Sequence, residues 1–482
     1  MRKMPGLALA TAFALAACAV GPNYQPPKVA LTASFHTPTP AGTAQAAALD
    51  AWWLGFKDPE LTRVVERAEA QNLDIAQARA RVLQSRALAK AAGAALAPQG
   101  DAAASAANEA QSLQSPIGEI GRHLPGYQRS TDEYAIGAGA SWEIDLFGGL
   151  RRRRQSAIAQ AKASRDDAAA MAITVAADAA DAYLQVRAYQ ARLAVARRQE
   201  AIQSDLVDLL TRRSAEGVAS DRELRQGVAQ LEGVRAAIPP LTVGLEAQLN
   251  RLDVLMGAQP GTWRAELAME VPLPAPPALA PGDGPADLLR RRPDILAAEQ
   301  RLVAANAAIG AAIADYYPKV SISGLLGVDS IDAGQLFVGN AVQHQVTAGL
   351  QWRLFDFGRV DAEVARARGG EAEALAAYRA TVLRAVEDVE DAFSSLTEDE
   401  AQTQALQRQV EQLEVARRQA TKAYEGGVLS LIEVRDADRD QQTASDQLVQ
   451  ARAGAARAAV AAFRALGGGW RPPISLASSA RP

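Results

Sequence analysis

The chain has 482 residues, 49% hydrophobic, 22% charged and only 5% aromatic. That mixture excludes disorder and collagen-like structure, and scarce rings beside abundant alanine point to helices packed along small side chains rather than one large core. A net charge of −4, from 51 basic and 55 acidic side chains, is too balanced for a nucleic-acid-binding surface, and three histidines with one cysteine exclude a cysteine-based zinc site or a disulfide framework.

The N-terminus accounts for the cysteine. Met1 to Lys3 give a positive start, Pro5 to Ala17 an apolar run too short to anchor in a bilayer, and Ala16 and Ala17 precede Cys18. This pattern predicts a lipoprotein signal peptide over 1–17 and a covalent lipid on Cys18. Ala19, where an Asp would favour inner-membrane retention, favours the outer membrane. Residues 18–58 read as a lipid-anchored extended segment.

An internal repeat organises the remainder. Trp142, Phe147, Gly148, Tyr183, Gly217, Val218 and Gly257 each have a partner 210 positions on, at Trp352, Phe357, Gly358, Phe393, Gly427, Val428 and Gly467. Upstream the offset is 220, pairing Asp74 and Ile75 with Asp294 and Ile295, and Pro98 with Pro318. The difference falls between Pro98 and Trp142, where Pro116, Gly118, Gly121, Pro125 and Gly126 mark a loop that tolerates insertion. The first repeat is assigned to 59–257, a Pro-rich crossing to 258–285, the second repeat to 286–467 and a tail to 468–482.

Each repeat opens with a helix, about Pro59 to Ala97 in the first, and then changes period. Tyr134, Ile136, Ala138, Ala140, Trp142 and Ile144 alternate with smaller or polar residues, as do Val346, Ala348, Leu350, Trp352 and Leu354 with Gln345, Thr347, Gly349, Gln351 and Arg353. With partners from Gln99 to about Ala110 and Lys319 to Val328, these predict two β-hairpins, at about 99–146 and 319–356. Strands of about ten alternating residues with an aromatic near one end suit a membrane barrel as well as a soluble sandwich. Four strands cannot close a barrel, so identical copies would have to contribute, two making eight strands or three making twelve.

Long helices follow, at 150–216 and 359–425. Val175, Ala179, Ala182, Val186, Tyr189, Leu193 and Ala196 keep a coiled-coil rhythm. Val382, Val386, Val389, Phe393 and Leu396 do the same, resuming out of phase at Leu406, Val410 and Leu413. Each long helix ends at a Gly-Val turn and reverses into a return helix, at 222–256 and 432–466. Pro239 and Pro240 predict a kink or break in the first return helix.

The second turn, "AYEGGVLSLIEVRDADRD", places Glu433, Asp436 and Asp440 on one helical face with Arg439 beside them. Around a symmetric oligomer that face becomes an acidic ring, and Glu223 supplies the matching carboxylate in the first repeat. Tyr424 either links the hairpins through its hydroxyl or fills a seam. His36, His123 and His344 are scattered and no Gly-rich loop joins a strand to a helix, so no catalytic site is legible.

"CAVGPNYQPP", "WWLGFKDPEL", "SWEIDLFGGLRRR", "RRRPDILAAEQRL", "YYPKVSISG", "WRLFDFGR" and "ALGGGW", in this order, resemble the outer-membrane efflux lipoproteins of the TolC and NodT type. The resemblance implies a mainly α chain with a membrane β-barrel portion. Four strands per chain would join a trimeric twelve-stranded barrel, continued by a long coiled-coil α-barrel with a mixed equatorial region. It implies an exit duct for small molecules, with a homotrimer, a periplasmic adaptor and an inner-membrane proton-driven transporter as partners, no nucleic acid, no enzymatic activity and no cofactor beyond the lipid on Cys18. Carried over by position, the periplasmic gate falls on Ile432, Glu433, Asp436 and Arg439, with Tyr424 answered by Glu223. The adaptor-docking tips fall on Gly217, Val218, Gly427 and Val428. One branch has an Arg where this chain has Leu429, so the closing network must differ. Type I protein secretion, or a non-conducting periplasmic scaffold, are the alternative readings, and the exported substrate is not legible.

Overall fold

A computed structural model of the chain describes residues 19–38, 47–279 and 284–470. The signal segment 1–17, Cys18 and most of the tail lie outside the described residues. The chain divides into two compact units, a strand unit (1–27, 83–163 and 299–377) and a helical unit (28–82, 164–298 and 378–482).

The strand unit holds β1 (Gln99–Ala110), β2 (Ser130–Ile144), β3 (Lys319–Ser330) and β4 (Val342–Gln351) in one antiparallel sheet ordered β1-β2-β3-β4. The register keeps the alternation in phase across strands: Ala104 faces Ile136, Ile136 faces Val328, and Ala138 faces Leu326. A one-residue slip would invert every face. Two bounds differ from expectation. β2 begins at Ser130, pairing with Ala110, and β4 stops at Gln351, leaving Trp352 and Leu354 beyond the strand and exposed. The insertion between β1 and β2 carries a short helix, Pro116–Gly121, whose first turn is capped by the Ser115 hydroxyl accepting from the Gly118 N–H at 3.2 Å. The two repeats end their hairpins alike: the Trp142 indole donates to the Leu96 carbonyl and the Trp352 indole to the Tyr316 carbonyl, both at 3.0 Å.

The longer helices of the described residues are α1 (Pro59–Gln71), α2 (Leu73–Ala94), α3 (Gly149–Ala215), α4 (Asp221–Leu255), α5 (Pro293–Ile313), α6 (Arg359–Glu425) and α7 (Leu431–Ala465). Among the described residues no helix is long and apolar enough to cross a membrane. The helix expected from Pro59 to Ala97 is divided at Asn72. Its backbone is extended there and its side chain accepts from the N–H groups of Asp74 and Ile75, at 2.9 and 3.1 Å, an N-cap that restarts the helix. α4 runs unbroken through Pro239 and Pro240. Both prolines and the residues four back, Arg235 and Ala236, lie on an exposed face, where water can take the carbonyls that lose their intrahelical donors.

In the helical unit the coiled-coil expectation needs correcting. Val175, Ala179, Ala182 and Val186 of α3 are buried, but so are Ala176, Ala177, Ala180, Tyr183, Leu184 and Arg187. Over residues 174–187 the buried arc is broader than one seam, leaving only the stripe of Thr174, Asp178, Asp181 and Gln185 half-buried, and alanine-rich faces allow that close approach. The out-of-phase stretch of α6 forms a separate cluster, Val410 with Ala444 and Leu448 of α7.

The segment expected to be extended before residue 59 instead contains a 3₁₀ helix, Leu49–Phe56, whose rings drive into the core. Trp52 stacks on Phe463, with centroids 5.4 Å apart and planes at 8°, and meets Trp53 edge-on at 5.6 Å. Asp58 then serves two roles. One oxygen caps α1 through the N–H groups of Glu60 and Leu61 at 2.9 and 3.2 Å, and the other accepts the Tyr183 hydroxyl at 2.7 Å. Burial, then this bond to Asp58, push the Tyr183 phenol well above its ordinary value.

Residues just upstream are stapled to α6. The Glu390 carboxylate accepts the His36 N–H at 2.6 Å and the Thr37 N–H at 2.8 Å, while Phe35 sits edge-on to Phe393 at 5.6 Å. Burial pushes the Glu390 carboxyl up, but the Thr37 and His36 N–H groups outweigh it and hold the group below the ordinary glutamate value. A depressed carboxyl stabilises the folded form above its unfolded pKa, and that contribution disappears as pH falls through the folded value. Hydrogen-exchange protection of the His36 and Thr37 amides, normalised for intrinsic rates, is therefore expected to be full at pH 6 and to drop below pH 4. In Glu390→Ala protection should be low at both; a pH-independent wild-type profile would exclude the staple.

Candidate functional site

Both ends of the long helices are built by the same rule. After Ala215, Gly217 adopts φ 74° and the Val218 N–H returns to the Arg213 carbonyl at 2.9 Å; after Glu425, Gly427 adopts φ 73° and the Val428 N–H returns to the Ala423 carbonyl at 2.8 Å. Only glycine takes this left-handed geometry without strain, which explains the repeated Gly-Val. Val218 and Val428 are left 71% and 80% exposed, bare apolar tips on the helical unit.

Two residues further on, a serine opens each return helix. The Glu223 carboxylate accepts the Ser220 N–H and hydroxyl, both at 2.8 Å, and Glu433 accepts those of Ser430 at 2.8 and 3.0 Å. These are capping boxes. The Ser220 N–H, then its hydroxyl, hold the Glu223 carboxyl below the ordinary range.

The expected gate residues thus divide. Asp436 and Arg439 pair at 3.3 Å, with Asp440 3.6 Å from the same guanidinium, and all three are exposed. Ile432 is exposed on the same turn. Glu433 instead folds back to cap its own helix. Within the chain the Tyr424 hydroxyl accepts from Arg213 at 2.6 Å, with that guanidinium 5.3 Å from the ring centre. Tyr424 therefore fastens α6 to α3.

Three partners escaped the sequence reading. Arg435 donates to Gln230 at 2.6 Å, Arg417 to Asp438 at 2.5 Å, and Arg192 clasps Asp446 through two bonds of 2.7 and 3.1 Å. Asp438 is buried; a carboxylate inside an otherwise exposed acidic run was the one available signal, and its arginine lies on another helix. A cleft of about 690 Å³ elsewhere in the helical unit is rich in carboxylates, but Asp181 is paired with Arg457 at 2.5 Å and Asp388 with Arg292 at 2.8 Å, a structural charge network. Among the described residues no group of three His, Cys, Asp or Glu could hold a metal.

The chain belongs to the outer membrane efflux protein family, whose profile matches residues 64–258 and 284–468. It is 32% identical over 443 residues to the Pseudomonas putida pyoverdine export outer membrane protein OpmQ, covering 92% of this chain and 93% of the relative. It is 28% identical to nodulation protein T of Rhizobium leguminosarum bv. trifolii, covering 95% and 96%. Among solved structures, the outer-membrane channel OprN superposes with a TM-score of 0.83 at 32% identity over 94% of this chain and all of that one. The protein is thus an outer-membrane efflux component, a transport duct and not an enzyme.

Proposed function

We propose that three copies of this chain close a twelve-stranded barrel in the outer membrane, anchored by lipid on Cys18 and continued by a helical tunnel into the periplasm. The duct passively conducts small organic molecules delivered by an inner-membrane proton-driven transporter through a periplasmic adaptor. One observation supports the assembly most directly: β1 and β4 are both open edges of a four-stranded sheet, and open edges are not tolerated in lipid. The substrate class rests on relatives named for pyoverdine and toluene export. The adaptor docks at Gly217, Val218, Gly427 and Val428, and Ile432, Glu433, Asp436, Arg439, Tyr424 and Glu223 form the periplasmic constriction. Adaptor contact opens that end only insofar as the adaptor binds the open arrangement better than the closed one.

The test is assembly and attachment together. Detergent-purified protein is expected to have the mass of three chains and to form channels in planar bilayers, and a monodisperse single chain would overturn the duct. Mass spectrometry of the mature N-terminus should show acyl chains on Cys18, lost in Cys18→Ser.

A further inference from the structure

The repeat that builds each chain also fixes how one chain meets the next. β1 and β3 have the same length and lie 220 positions apart, and the hairpin pairs Gln99↔Ser141 and Lys319↔Gln351 are counterparts under the 220 and 210 offsets. The junction between the two hairpins inside the chain, β2 with β3, is therefore a template for the junction of β4 with the β1 of a second copy.

We propose that β4 of one copy pairs antiparallel with β1 of the next in a single register, Gly349 opposite Ser105, Trp352 opposite Ala102 and Arg353 opposite Asp101. This rests on the trimeric reading above and adds the residue-level interface.

Three observations on the strand unit support it. First, β2 residues Trp142 to Ile144 lie beyond the last β1 pair and are strand only because β3 pairs with them, through Ile322, Ser321 and Val320. Their counterparts Trp352 to Leu354 have no such neighbour, and β4 stops at Gln351. A second copy's β1 would supply Ala102, Asp101 and Gly100 there and extend the strand. Second, the charges complement. Asp101 is exposed and makes no ion pair among the described residues, and Arg353, with Asp356 also in its field, holds Glu363 only loosely, at 3.8 Å. The register sets these opposite charges face to face. It also keeps Asp101, Ser105 and Glu109 on the polar face with Gln345, Gly349 and Arg353. A one-residue slip would turn those acids to the apolar face. Third, Phe147, which follows β2, is covered by Tyr317 at a centroid distance of 4.4 Å, whereas its counterpart Phe357 is fully exposed. The offset puts Leu96 and Ala97 of the second copy at the place of that missing cover.

Cysteine pairing reads the register directly. Opposed antiparallel residues have Cα atoms about 4.5–5.5 Å apart, within disulfide reach, while positions two residues out of register lie about 7–8 Å apart. With Ser105→Cys held fixed and a second cysteine placed at Thr347, Gly349 or Gln351, mild oxidation of membranes should give covalent oligomers at least fivefold more abundant for the Gly349→Cys pair, and none for single variants. A maximum at 347 or 351, or no linkage in protein that still sizes as a trimer, overturns the register. A single-chain mass for unmodified protein overturns the trimer instead. As a second readout, Asp101→Arg and Arg353→Asp should each lower the temperature at which the oligomer dissociates in SDS, and the double variant should recover it; additive losses would reject the pair.

Discussion

Trp52→Ala is expected to destabilise the helical unit by about 3–5 kcal/mol, the range for deleting a fully buried large ring. Trp52 is 1% exposed, stacked on Phe463, edge-on to Trp53, and 6.2 Å from Phe56. Its removal leaves a cavity walled by other rings, and the left-handed turn at Gly467 and Gly469 limits collapse from the C-terminal side. Trp142→Ala offers the contrast. That ring is 39% exposed and makes one hydrogen bond to the Leu96 carbonyl, so about 0.5–1.5 kcal/mol is expected. Urea unfolding followed by far-UV circular dichroism, with native-state hydrogen exchange of α1 to localise the change, checks both. Equal losses would mean that the aromatic stack carries no special share of the core.

How much of this was legible depends on where each structural cause lies. The duplicated Trp, Gly-Val and Gly signals located both hairpins and both turns because each is a local requirement repeated at fixed spacing. The end of β4 was not legible. Trp352 and Leu354 carry a strand pattern, but a strand needs a neighbour, and the presence or absence of one is not written in the alternation. The break at Asn72 was missed because its apolar neighbours continue a helical period across it, although asparagine before Leu73 and Asp74 is a cap signal. Asp58 and Tyr183 lie 125 residues apart, so neither flank announces the other. The seam read along α3 captured only part of a broader buried arc that leaves the stripe of Thr174, Asp178, Asp181 and Gln185 half-buried. Alanine hides this, being equally at home on a surface and in tight packing.

At the turn, residue types were legible and roles were not, and the difference can be measured. Asp436→Asn is expected to lower the cation-over-anion preference of the reconstituted channel about sixfold while leaving stability unchanged. On the trimeric reading, three symmetry-related charges about 8 Å from a permeating ion would contribute on the order of 1.5 kcal/mol in water, reduced by salt to roughly 0.5–0.6 kcal/mol, favouring a cation and disfavouring an anion by the same amount. Among the described residues Asp436 ion-pairs with Arg439 alone, at 3.3 Å and well exposed, a pair worth little to stability. Glu433 differs because its carboxylate holds the Ser430 N–H and hydroxyl. Glu433→Ala removes half of a capping box and should cost about 1 kcal/mol at the turn, seen as loss of amide protection over residues 430–436. Glu223→Ala should do the same in the first repeat, where Ser220 makes the equivalent bonds. Glu433→Gln keeps the acceptor and should restore protection while still lowering cation preference, because the charge is gone. If Asp436→Asn left ion preference untouched and Glu433→Ala left the turn protected, the division of labour between these two carboxylates would be wrong, and the constriction would have to be sought at Arg435 with Gln230 or at Arg417 with Asp438.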